Sequence, residues 1–159
     1  MRQQKQSNAL IGAAGVHFVV SELSRRGLIA LPTTRNTAGI DVVVVNTNGT
    51  GHANLQVKTS GRKVRFWPIG KRYKELRGKR NYYVFVRYLK KENQFEVFLE
   101  SAAEVTKQVQ PRERKKAKKG TLGIGPCWHL PEEESERQLL RRNWLTFGSH
   151  LVDRRSPRR

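Results

Sequence analysis

Two short apolar segments, Val42–Val45 and Ala53–Lys58, are joined by a stretch rich in Asn, Thr and Gly that must reverse the chain. That hairpin constrains the fold more than anything else in the sequence. Strand side chains alternate faces with period two, so Gln56 and Lys58 share a face and Val57 points away from them. A turn symmetric about Gly49 and Thr50 sets Asp41, just before the first strand, opposite Lys58. The expectation is a carboxylate, an amide oxygen and an ammonium at one sheet edge, with Val57 turned into the core. A divalent metal and a phosphodiester call for groups of that kind.

The elements around the hairpin give an α/β chain. Leu10–Arg26 has helical periodicity, with Val16, Val19, Val20 and Leu23 as its expected buried stripe and Gly27 as its stop. Leu28–Leu31, Tyr82–Leu89 and Phe95–Glu100 are further expected strands. Ser101 and Glu104 have capping-box spacing and should open a short helix. The stretch Pro111–Gly120 holds six basic residues and is read as a loop. Pro131 and Glu132–Glu134 suit the start of a last helix ending near Trp144. The run Val42–Val45 lacks alternation, as strands buried on both faces do, so helices are expected on both sides. The expected architecture is a mixed β-sheet of four to five strands flanked by helices. Residues 1–150 form one domain and 151–159 a basic C-terminal tail.

Charge narrows the partners. Over 159 residues, 32 Lys and Arg face 13 Asp and Glu, a formal net charge of +19. Such an excess repels itself unless a polyanion offsets it, which points to nucleic acid. No segment is apolar and long enough to span a membrane. One cysteine, Cys127, forms no intrachain disulfide and gives no zinc cluster, in keeping with a reducing cytoplasm. The four histidines lack metal-ligand spacing, and Gly120–Gly125 lacks the Lys-Ser/Thr ending of a phosphate-binding loop. The connector 61–80 carries nine Lys and Arg interleaved with Phe66, Trp67 and Tyr73. Its candidate DNA contacts are Arg62, Lys63, Arg65, Lys71 and Arg72, with Trp67 available for stacking on a base and Phe66 read as a core anchor. Lys115, Lys116, Lys118 and Lys119 are candidate nonspecific phosphate contacts.

Gly12-Ala-Ala-Gly15 through Gly27 on the first helix, Gly39-Ile40-Asp41, and Gln56-Val57-Lys58 together resemble the PD-(D/E)XK nuclease superfamily over about residues 10 to 100. The superfamily includes restriction, homing and junction-resolving endonucleases. The resemblance implies a restriction-endonuclease-like core and metal-dependent hydrolysis of DNA, duplex or branched. It implies Asp41 and Gln56 as ligands of Mg²⁺ or Mn²⁺, with the Val57 carbonyl completing the set. Lys58 would orient the attacking water or stabilise charge on the phosphate. A chain cutting both strands of a duplex also implies a homodimer or a larger homo-oligomer. Many relatives carry Glu directly after the helix glycine, where this chain has Val16. That departure supports an alternative: a nucleic-acid-binding protein on the same fold with weakened catalysis.

Overall fold

A computed structural model describes residues 7–34, 39–117, 125–149 and 151. Helix α1 (Asn8–Arg25) opens the chain, its N-cap Ser7 hydroxyl accepting the Leu10 N–H. Strands β1 (Ile29–Pro32), β2 (Val42–Val45), β3 (His52–Ser60), β5 (Asn81–Leu89) and β6 (Gln94–Ser101) form one sheet in the order β1-β2-β3-β5-β6. The β3–β5 pair is parallel and the other three pairs are antiparallel, so the sheet is mixed. The crossover from β3 to β5 carries β4 (Phe66–Pro68) and a 3₁₀ turn (Lys71–Lys74). Helix α2 (Ala102–Ala117) follows β6. Strand β7 (Cys127–His129) then pairs with β4 as a small separate sheet, and α3 (Glu134–Thr146) ends the fold.

Alternation along β3 and β5 sorts the core into two layers. Ala53, Leu55, Val57, Val84 and Val86 face α1, where Val19 and Leu23 are fully buried. Tyr83 and Phe85 face the other way, onto Trp67, Trp128, Val105 and Val109. The parallel register pairs Gln56 with Tyr83 and Lys58 with Phe85. Gln56 and Lys58 therefore emerge on the face away from α1.

Helix α1 sits unusually close to β3. A Cβ placed on Gly15 would lie 1.8 Å from Thr59 Oγ1 and 2.8 Å from Thr59 Cβ, so only glycine fits there. The buried stripe of α1 is Ile11, Gly15, Val19 and Leu23. Val16 and Val20, expected within it, are half-buried and flank it. On the other flank Phe18 stacks on Phe95 of β6, with ring centroids 4.4 Å apart. At 100° per residue Val16 lies on the flank opposite Phe18, toward β2.

Three further expectations are corrected. The hairpin turns two positions short of the expected register, with Val42 against Leu55 and Val45 against His52. Asn46 sets this. Its N–H and C=O bond Gly51 and Gly49, its Oδ1 accepts the Gly51 N–H at 2.9 Å, and Gly49 takes φ +75°. Second, the Val run is not covered on both faces. Val42 and Val44 are fully buried, but Val43 and Val45 are half-buried beside exposed Ile29 and Leu31. Among the described residues no helix lies over that face of β1 and β2. Third, the expected loop from Pro111 begins as helix. Ser101 Oγ caps α2 by accepting the Glu104 N–H, and Ala102, Val105 and Val109 anchor it. The backbone stays helical to Ala117, in keeping with the helix propensity of Arg and Lys. Residues 118–124 and 152–159, which include Lys118, Lys119 and nearly all of the expected tail, lie outside the described residues.

Candidate active site and nucleic-acid interface

Strand β2 begins at Val42, so β3 from Gln56 onward runs past its end. At that step the Asp41 N–H bonds the Leu55 carbonyl at 2.8 Å, and the backbone leaves the ladder. The side chain takes over as partner of β3: Asp41 Oδ2 accepts the Val57 N–H at 2.8 Å. Asp41 is thus beside Leu55–Val57 rather than opposite Lys58, as a turn about Gly49 and Thr50 would have it. N–H and C=O of one strand residue point the same way, so the Val57 carbonyl is turned to the side where Asp41 sits.

The two charged groups meet in a half-buried setting. Burial pushes the Asp41 carboxyl above its ordinary value, opposed by the Val57 N–H and by the Lys58 ammonium. Burial likewise pulls Lys58 below the usual lysine value, opposed by Asp41. Each is costly to hold charged alone, and each offsets part of the other's cost. The Asp41 carboxylate lies at the strand edge, and Gln56 and Lys58 rise from the face away from α1. The structure therefore brings Asp41, Gln56, Val57 and Lys58 together. His17, on the solvent side of α1, is exposed.

Two cavities lie along β3, and the first includes Gln56. One of about 380 Å³ takes in Gln56, Asn54, Lys71, Arg72 and Glu75. The other, of about 680 Å³, begins at Thr59 and Ser60, directly after Lys58, and is bordered by Arg62, Phe66 and Lys90. Arg62, Lys63, Arg65, Lys71 and Arg72 are all exposed. Arg72 is not a free cation, since Glu75 takes its guanidinium at 2.7–3.0 Å. Lys115 and Lys116 fall on the last turns of α2, with side chains outside the described residues.

The aromatic assignment is reversed. Trp67 is 1% exposed, packed at tilted and edge-on angles among Phe85, Phe98 and Trp128, and its Nε1 donates to the Val86 carbonyl at 3.1 Å. It cannot stack on a base. Phe66, expected in the core, is 39% exposed. The alternation of β4 decides this: Trp67 and Ile69 point inward, which leaves Phe66 and Pro68 outside. Ile69, two residues beyond Trp67, was the sequence signal for it. Lys90 and Glu75 carried no motif and became visible only through the cavities they border.

No protein-family model and no curated protein sequence matches the chain. Among solved structures, the chain is similar to a bacterial homing endonuclease, I-Ssp6803I, with a TM-score of 0.51 and 13% sequence identity. The match covers 92% of this chain and 97% of that one. At that identity the likeness is one of fold: a mixed five-stranded sheet flanked by helices. Among the described residues, no helix is long and apolar enough to cross a membrane.

Proposed function

We propose that this chain is a metal-dependent DNA endonuclease of the PD-(D/E)XK type, with Asp41, Gln56 and Lys58 as its catalytic residues. The observation that carries the reading is the Asp41 carboxylate seated on the Val57 N–H, at the strand that bears Gln56 and Lys58. Support comes from a fold similar to that of a bacterial homing endonuclease and from the net charge of +19, which suits DNA.

The donor set fits Mg²⁺ or Mn²⁺. Asp41 has one oxygen committed to Val57 and a second to offer, and Gln56 and the Val57 carbonyl add neutral oxygens. Among the described residues no three His, Cys, Asp or Glu side chains gather into a cage. That suits an ion which keeps most of its waters and leans on substrate phosphate. When bound, such an ion lowers the pKa of water and offsets charge on the phosphate. Lys58 then holds the attacking water by hydrogen bonding and balances the charge that builds on the phosphate oxygens. Assembly as a homodimer would bring two such sites to the two strands of a duplex.

One observation favours the second reading, a DNA-binding protein with weakened catalysis. Position 16, where the resemblance places a carboxylate, holds a half-buried Val on the flank of α1, so this chain lacks that negative charge. Nicking of supercoiled plasmid in Mg²⁺ or Mn²⁺ separates the two readings. The endonuclease reading expects nicking by the wild type and its loss in Asp41→Ala and Lys58→Ala. Equal residual activity in all three proteins supports the binding protein.

A further inference from the structure

The 680 Å³ groove that begins after Lys58 is more than a gap between two sheets. Its size falls in the range of ligand sites. One wall is the end of β3 and the first turn of α1, with Thr59 and Asn8. The other is β4, and Phe66 stands on it with 39% of its surface exposed. Arg62 and Lys90, both exposed, border it and leave it cationic. The Phe66 ring rests on one side against His129, with centroids 5.6 Å apart, and borders the same groove as the two cations. A part-exposed aromatic ring and two cations match the chemistry of a nucleotide: a flat π-face and a phosphate.

Resting on the endonuclease reading, we propose that this groove holds an unpaired nucleotide next to the cut phosphate. Its base stacks on Phe66, and Arg62 and Lys90 meet its phosphates. A base inside a duplex has both faces covered by its neighbours and offers none to Phe66. Only a base out of the stack does, and at a flap, a bulge or a junction it is there without the cost of unpairing. The substrate class is therefore DNA with an unpaired strand beside the cleavage point, rather than uninterrupted duplex. The smaller cavity on the Gln56 side gives the same strand room to pass on the other side of Lys58.

Fluorescence anisotropy without divalent metal tests this on the full chain, with two labelled probes: a blunt duplex and the same duplex carrying a single-stranded flap. The wild type should prefer the flap. Phe66→Ala should weaken flap binding by about tenfold and leave the blunt duplex unchanged, and Phe66→Tyr should restore the preference. Arg62→Ala with Lys90→Ala should lower the salt slope on the flap by about two. Equal flap binding by Phe66→Ala and wild type overturns the proposal, as does an equal loss on both probes. Because no cleavage is read, the result is separable from cleavage of the same flap duplex in Mg²⁺ or Mn²⁺: no cutting with a Phe66-dependent flap preference removes catalysis alone, and cutting without that preference removes the nucleotide site alone.

Discussion

Asp41 meets Val57 through its side chain, at the step where a backbone partner is due. The 2.8 Å bond to the Val57 N–H continues the ladder that β2 abandons, and it fixes the carboxylate beside the two residues that flank Val57. A candidate site residue here also completes a strand.

That dual role predicts a trade between stability and activity. Burial holds Asp41 above the ordinary carboxylate value in the folded chain. For a carboxyl raised by folding, the associated stability is full below the ordinary range and is lost as pH rises through the raised value. Asn cannot ionise and retains an oxygen for the Val57 N–H. Asp41→Asn should therefore match the wild type near about pH 3 and exceed it at neutral pH. Urea denaturation across pH measures this. The same substitution should lower any nicking rate by at least about a hundredfold.

Gly15→Ala tests the closeness of α1 to β3. Helix propensity favours Ala by about 1 kcal/mol, but the added carbon meets Thr59 at 1.8 Å. Net destabilisation of about 1–3 kcal/mol is expected. Adding Thr59→Ala should recover part of it, since the Thr59 Cβ remains 2.8 Å away. A double-mutant cycle on thermal melts reads the coupling.

Tyr83 is fully buried, its hydroxyl has no hydrogen-bond partner among the described residues, and burial pushes its pKa to about 12. Its ring stacks on Phe85, with centroids 5.7 Å apart. Tyr83→Phe keeps the ring and removes the stranded oxygen, so it should stabilise the fold by about 1 kcal/mol. A fall in melting temperature would show that the hydroxyl is satisfied.

Val16→Glu tests whether the α1 flank opposite Phe18 reaches Asp41. Mn²⁺ affinity should rise by about tenfold, the scale of changes around a metal site. Without metal the ionised group on a half-buried flank should cost roughly 1–2 kcal/mol. Calorimetric titration with Mn²⁺ checks the first effect and urea denaturation the second. Unchanged affinity would mean that residue 16 does not reach the site.

The sequence made legible what periodicity controls. The mixed sheet, the first helix, and the shared face of Gln56 and Lys58 against Val57 follow from spacing alone. The hairpin register was missed by two positions because Asn46 closes the turn through contacts that composition does not reveal. A slip of two leaves every β3 face unchanged, so the grouping survived it. Phe66 and Trp67 were exchanged because β4 is held by β7, sixty residues further along, and short strands of that kind have no local signature. The bare face of β1 and β2 was also out of reach. A valine run states that a strand can be buried, not that anything covers it.

The contact between Gly15 and Thr59 has an evolutionary consequence. Packed backbone to side chain, α1 has almost no freedom to roll about its axis, so the direction of residue 16 is inherited with the glycine and not with the residue itself. A lineage can therefore exchange what stands at position 16, apolar or acidic, while the address stays fixed. A substitution at position 16 is thus a change of chemistry without a change of direction, as long as Gly15 persists.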